Sequence, residues 1–578
     1  MYLQVANLNF APAEGKVPTS FLDLRDWDTK SWPGLFPDGK FGRDWKRRVK
    51  LTNQNFFQQR LLNKDERFAQ TPGWIFAAMS HVEAERLRSN ANLSGFRGRR
   101  HEVGGHIFYE VHDALTVFDN IKGTPKYWQK VKYEIIAKLE NFGPFHFFFT
   151  LSCGDQRWSA NFTTQLEKDG CKIIYEVDKE GREQVAVEVQ QEDGKTARIP
   201  WKQYMQDFVP RSKHEMIRQN VLLATRNFQH RVEAFRREII FGRNNPMRVR
   251  HISYRVEFQG RGAGHIHGVL WVDMKELDLE DVCNEVLQEA FDKLRHSQEL
   301  DECEARSIEK FTDAFVTCTR CINVSSREAV EKAEEFNWHG HSSSCRKEGL
   351  PGQCRWKFPR FPLARTTFVD ANRERPKEEY RMERKEREEI LRRVMAVLVE
   401  DDGGKMVLSK EVVKIMTSFP NVKIVQESPS KSPQQLPSKS PQQLPSKSPQ
   451  QSPSKSTDDP PEENDSKITY VKMESPDEYD RNIKKRIEMV LELASAGGEP
   501  ITYYRYEMAV TQQPRKGSEV LLRRDIDEIF INNYNKEWIE AWDANHDIAP
   551  VYDYFGIITY ITDYFTKVRL RNSLLMFK

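Results

Sequence analysis

The chain has 578 residues with 89 Lys and Arg against 86 Asp and Glu, a net charge of +3, so a nucleic-acid surface must come from local clustering of cations. The length allows roughly two to four domains that each bury a core, so neither disulfides nor a metal are required by size. No run approaches about 18 consecutive apolar residues, and MYLQVANLNF lacks a charged segment followed by an apolar one; no membrane span or signal peptide is expected, and the protein reads as intracellular.

Residues 1–115 are rich in Trp, Phe, Arg and loop formers, as in SWPGLFPDGKFGRDWKRRVK, and predict a mostly helical accessory region. Two basic runs, Lys46, Arg47 and Arg48, then Arg99 and Arg100 within Arg97 to His101, are candidate DNA-phosphate contacts; each run alone reads equally well as solvated surface charge.

From about 130 to 275 the pattern changes. FHFFFTLS (145–152) is a short apolar run that predicts a central strand, and apolar residues from Ile217 to Ile239 recur at helical spacing, predicting one long helix over 213–241 stopped by Asn244, Asn245 and Pro246. HISYRVEFQG and HIHGVLWVD then read as two strands joined by a glycine-rich turn. In a strand, residues i and i+2 share a face, so His265 and His267 project to one side about 6 to 7 Å apart. Two imidazoles with a carboxylate would hold a divalent cation and leave positions open for substrate oxygens. The third ligand is Glu257 or Gln259 on the paired strand. Without such a partner, an HxH strand reads as two hydrogen-bonded histidines.

Residues 276–365 predict helices followed by a loop-rich Cys/His module. CTRC (318–321), HGH (339–341), Cys345 and Cys354 offer six candidate ligands for a tetrahedral structural zinc, Cys318, Cys321, His339, His341, Cys345 and Cys354, and spacing does not choose among them. Residues 366–425 predict a charged, solvated helical segment, and 426–466, an eight-residue Ser/Pro/Lys/Gln repeat, a disordered insertion. In the last part, 467–578, Tyr560 and Tyr564 fall at i and i+4 of a helix, about 5 to 6 Å apart on one face, with Lys567 on that face. They can be nucleophiles beside a cation, or an aromatic stripe packing the helix.

LFPDGKFG, FFQQRLLNKDERFA, FFFTLSCGDQRW, VEFQGRGAGHIHGVLW, HGHSSSCRKEGLPGQCRWKFPRFP and INNYNKEWIEAWDANHDIAPVYDYFGIITYITDYFTK occur in this order, and together they resemble the replication-initiator nuclease region of Helitron transposases, members of the His-hydrophobe-His (HUH) endonuclease superfamily. The resemblance implies an α+β fold: an antiparallel sheet carrying the histidines, flanked by helices, with a zinc-binding module and a mostly helical N-terminal region.

The resemblance further implies Mg²⁺ or Mn²⁺ held by His265, His267 and Glu257, and Tyr560 and Tyr564 as nucleophiles that cleave single-stranded DNA at transposon ends through a 5′-phosphotyrosine. Lys567 would assist a phenolate that is scarce at neutral pH. Helitron proteins usually continue into a Pif1-type helicase. This sequence has no GxxxxGK[ST] phosphate loop, so the expectation is a shortened element product that relies on a separately supplied helicase and acts in the nucleus. The competing expectation is a non-catalytic DNA-binding remnant.

Overall fold

The computed structural model describes residues 22–558 apart from 64, 98, 104–105, 111–123, 178–182, 191–195, 259–261, 342–344, 346–353, 371–380, 403–404, 426–468, 516, 553 and 555, with backbone alone over 90–97, 99–103, 106–110 and at 183, 425 and 469. The repeat at 426–466, Gln259, Tyr560, Tyr564 and Lys567 therefore lie outside the described residues.

The chain runs through α1 (Trp27–Ser31), α2 (Asn53–Leu61), α3 (Pro72–Arg97), β1 (Arg99–Val103), β2 (His106–Glu110), α4 (Pro125–Phe142), β3 (Phe147–Ser152), α5 (Ala160–Lys168), β4 (Lys172–Val177), β5 (Glu183–Gln190), β6 (Thr196–Pro200), α6 (Trp201–Asp207), α7 (Lys213–Gln219) and α8 (Val221–Phe235). There follow β7 (Val249–Phe258), β8 (Gly264–Val272), α9 (Asn284–Arg295), α10 (Glu302–Phe315), α11 (Arg327–Phe336), β9 (Thr367–Val369), α12 (Arg384–Leu398), β10 (Val399–Asp402), β11 (Lys405–Leu408), α13 (Lys410–Thr417) and β12 (Val422–Val425). After the undescribed stretch come β13 (Thr469–Lys472), α14 (Pro476–Ser495), α15 (Tyr503–Thr511), β14 (Glu519–Leu521), α16 (Lys536–Trp542) and β15 (His546–Pro550). Among the described residues no helix is long and apolar enough to cross a membrane.

Two compact units result, one of Met1–Phe311 with Ala541–Lys578 and one of Thr312–Glu540. The division predicted at 467 is thus displaced, because β15 pairs antiparallel with β3 and takes the chain from 541 into the first unit.

The first unit is α+β, and its largest sheet is antiparallel in the order β15-β3-β8-β7. Thr124 caps α4 by accepting from the Tyr127 amide, with Pro125 in the first turn where no amide hydrogen is needed. Ile135 and Leu139 of that helix pack with Phe145, Val269, Trp271, Tyr554 and Ile558. The β7–β8 hairpin forms as predicted. The long helix predicted over 213–241 does not: it breaks at Asn220, whose side chain donates to the Met216 carbonyl at 3.1 Å, and its second half ends in a π-helical turn, Arg236–Ile240. Asn245 then donates to the Ile240 carbonyl at 2.7 Å, which accounts for the stop at that position.

The second unit corrects one expectation. α12 is not a solvated helix, since Ile390, Leu391, Val394 and Leu398 lie on one face and are buried against α13, α14 and α15. Its charged residues occupy the other face, as in the exposed Arg384–Glu388 pair.

Beside this core sits an ionic network whose lysine and carboxylates are fully buried. The Lys472 ammonium donates to Asp525 at 3.1 Å, Asp527 at 2.8 Å and Glu528 at 2.6 Å. Arg486 donates to Asp525 at 2.7 Å and also pairs with Glu474, while Arg320 reaches Asp527 at 3.0 Å. Burial disfavours the Lys472 charge, but the three carboxylates outweigh it and hold the ammonium well above its usual range. Removing one member of such a network leaves uncompensated buried charge. Lys472→Met should therefore destabilise the second unit by about 3 to 5 kcal/mol in urea unfolding, whereas Lys310→Met, which removes an exposed 3.4 Å pair with Asp281, should change stability by less than about 1 kcal/mol.

Candidate functional site

Residues paired directly across an antiparallel ladder share a face. Register places Glu257 and Ser152 on either side of His265, and Arg255 and Thr150 on either side of His267. Thr150 in turn faces Asp547 on β15. One face of the sheet therefore carries two polar rows, Ser152–His265–Glu257 and Asp547–Thr150–His267–Arg255, with Val269 and Trp271 continuing the face of β8 into the α4 core. The opposite face is closed: a Cβ on Gly264 would lie 2.6 Å from the Phe228 ring of α8, and one on Gly268 2.4 Å from Phe149. Those two glycines let rings lie against the strand behind the histidines.

The imidazoles of His265 and His267 are 4.5 Å apart between centroids at 74°. His267 Nε2 lies 3.3 Å from Glu257 Oε2. Burial, then the Arg255 charge, pushes His267 down to about 4, so the ring is neutral and retains a lone pair at neutral pH. Burial raises the Glu257 carboxyl and Arg255 pulls it back. The Arg255 guanidinium lies 4.4 Å from the centre of the Trp128 ring and is itself pushed down to about 10 by burial.

His265 is oriented differently. Its Nδ1 lies 3.0 Å from Ser152 Oγ, and Ser152 donates to Asn545 Oδ1 at 3.4 Å. With its proton directed to Asn545, Ser152 accepts the Nδ1 hydrogen of His265, which leaves Nε2 as the ring's donor atom. His265, His267 and Glu257 can thus hold a divalent cation, but they do not form a closed cluster. Among the described residues, the trios whose ligand atoms all lie within 4.8 Å of one another are His339–Cys345–Cys354 and Asp525–Asp527–Glu528.

Of these, the acidic trio already surrounds the Lys472 ammonium. In the Cys/His trio His339 Nε2 lies 3.2 Å from Cys354 Sγ, and burial followed by His341 and Arg360 pushes His339 down to about 4. The His341 ring stands 4.9 Å from that of His339, and both of its nitrogens are buried with no hydrogen-bond partner among the described residues. His339, His341, Cys345 and Cys354 therefore offer the two nitrogens and two sulfurs that suit a tetrahedral zinc. Cys318 and Cys321 are not part of this group; their thiols donate to the carbonyls of Arg523 and Glu474, each at 3.3 Å.

In the first basic run Lys46 and Arg48 are exposed, while the Arg47 guanidinium donates to the carbonyls of Phe41, Gly42, Arg43 and Trp45. Arg99 and Arg100 lie on β1, opposite Glu110 and Tyr109.

Residues 54–270, from α2 to near the end of β8 and including His265 and His267, match the family model described as the Helitron helicase-like domain at the N-terminus. This stretch is a Helitron-like N-terminal domain. Neither the curated proteins nor the solved structures contain a match.

The matched stretch holds some of the site residues that sequence reasoning missed. Ser152 and Arg255 sit within quoted motifs, but a role for them needs the register of β3, β8 and β7. Asn545 and Asp547 lie outside the matched stretch, and only the pairing of β15 with β3 brings them to the histidine face. Ser152→Ala should leave folding intact and weaken Mn²⁺ binding by about 10- to 100-fold, measured by isothermal titration against the unsubstituted protein. An unchanged affinity would mean that His265 does not depend on Ser152 for its orientation.

Proposed function

We propose that the chain is a metal-dependent single-stranded DNA endonuclease and strand transferase of a rolling-circle, Helitron-type transposon. The observation that carries this reading lies next to the undescribed tyrosines: Ile558, two residues before Tyr560, is buried in the same cluster as Val269 and Trp271, which share the β8 face with His265 and His267. The described chain thus ends packed on the β8 face that bears the histidines. The Helitron-like domain match, the neutral His267 imidazole and the His265 ring oriented by Ser152 add support.

In this reading His265, His267 and Glu257 hold Mg²⁺ or Mn²⁺. When bound, such an ion supplies polarisation of phosphate oxygens and offsets the charge of an in-line displacement. Ser152 keeps His265 in the required tautomer, and Arg255, braced on Trp128, contributes a fixed positive charge beside His267. The Tyr560 or Tyr564 phenolate, assisted by Lys567, attacks phosphorus. The bond to the 3′-oxygen breaks, giving a free 3′-hydroxyl and a 5′-phosphotyrosine. The second tyrosine permits a second cleavage while the first end is still held. We assign structural zinc to His339, His341, Cys345 and Cys354, place the action in the nucleus on transposon-end DNA, and assign unwinding to a separate Pif1-type helicase.

Purified protein with Mn²⁺ should form a denaturant-resistant adduct with single-stranded transposon-end oligonucleotides. The His265→Ala, His267→Ala double substitution and the Tyr560→Phe, Tyr564→Phe double substitution should each reduce it at least about 100-fold. DNA retardation without any adduct would instead identify a binding-only remnant. For the zinc, Cys354→Ser should release metal, detected by a chromogenic chelator, and lower the melting temperature of the second unit. A full-strength zinc signal in that variant would remove Cys354 from the site.

A further inference from the structure

The turn between α1 and α2 carries an aromatic pair that the nuclease reading does not use. Phe41 and Trp45 are 57% and 40% exposed, with ring centroids 5.3 Å apart and planes at 52°. Neighbouring aromatics such as Trp27, Phe36, Phe57 and Trp74 are buried in a core of their own. Exposure here is not a lack of apolar surroundings.

Phe41 also has a φ of 62°, in the left-handed region that a bulky side chain rarely adopts. The turn is clamped in that state. Arg47 donates to the Phe41 carbonyl at 3.1 Å and the Trp45 carbonyl at 3.0 Å, and Arg60 donates to the Phe41 carbonyl as well. Gly42 is pressed so closely against Thr29 that a Cβ would lie 2.3 Å from Thr29 Cγ2. Strain held by its surroundings, at exposed and rigid rings, is a mark of a binding surface.

The charge beside the rings selects the partner. Residues 40–50, KFGRDWKRRVK, carry six cations and one carboxylate, and that carboxylate, Asp44, is paired with Arg43 at 2.9 Å. Lys40, Lys46, Arg48 and Lys50 are exposed. Protein interfaces are depleted of lysine, and a DNA duplex hides its base faces, whereas a single strand offers both bases to stack and phosphates to neutralise.

We infer that Phe41 and Trp45 form a stacking platform for the unpaired bases of single-stranded DNA, with Lys40, Lys46, Arg48 and Lys50 contacting the flanking phosphates. The choice of ligand rests on the proposed nuclease function, but the platform is tested without catalysis. Fluorescence anisotropy of the full chain, with no Mn²⁺ added, would compare a mixed-sequence oligonucleotide, the same strand with abasic sites, and its duplex. The unsubstituted protein should prefer the base-bearing single strand. Phe41→Ala and Trp45→Ala should each weaken that binding about tenfold, and the double variant should lose the preference over the abasic strand. Phe41→Gly, which relieves the positive φ, should bind as weakly as Phe41→Ala without a lower melting temperature.

Equal binding by the double variant and the unsubstituted protein would overturn the platform. So would an equal loss on all three DNAs, or no single-strand binding at all. The covalent-adduct assay reports separately on the nuclease. An adduct with undiminished binding by the double variant removes the platform alone, and platform behaviour without an adduct removes the nuclease alone.

Discussion

The histidine face depends on strand register. Side chains alternate along a strand, so a slip of one residue between β8 and its neighbours would turn both imidazoles to the helix-covered side. Several contacts oppose that slip. The rings of Phe228 and Phe149 fit only where β8 has Gly264 and Gly268. The Trp271 indole donates to the Gly143 carbonyl at 2.9 Å, and the Val272 amide donates to Nδ1 of the buried His146 at 2.9 Å. On the other side of β3, the Trp542 indole donates to the Ser152 carbonyl at 2.8 Å. A glycine-poor version of this strand would keep its hydrophobicity and lose the constraint.

Register also sets the electrostatics. Half-burial of His267 on this face disfavours its protonated form, and the register neighbour Arg255 adds to that effect. The same burial raises Glu257, so Arg255 serves the carboxylate and the imidazole alike by favouring the unprotonated form of each. The result is a neutral imidazole at His267 beside a carboxyl whose burial is partly offset by Arg255.

The parts legible in the sequence were those with local periodicity. The FFFTLS strand, the hairpin and the shared face of His265 and His267 follow from alternation and glycine turns, and the first unit is α+β as the resemblance implied. What failed depended on distant chain. α12 has apolar residues at helical spacing within a highly charged stretch, and only the presence of α14 and α15 makes that stripe a core face. Cys318 and Cys321 sit in a metal-like CxxC, yet their thiols are taken up by carbonyls of residues more than a hundred positions away. The helix over 213–241 had the right periodicity, but a single asparagine able to bond its own preceding turn was enough to break it.

The three groups that resemble metal sites differ in how each acquires a cation. Asp525, Asp527 and Glu528 are met by a lysine of the same chain and are satisfied as the protein folds. His339, His341, Cys345 and Cys354 converge in loop-rich chain, and the unsatisfied nitrogens of His341 leave a deficit that an ion can meet. His265, His267 and Glu257 stand on rigid strands and remain more open than either. Openness is costly for a structural site, because it leaves little to offset desolvation of the ion, and it suits one that must admit a phosphate as a further ligand. The contrast between the closed Cys/His group and the open histidine face is therefore the physical basis on which we propose a structural role for one and a chemical role for the other.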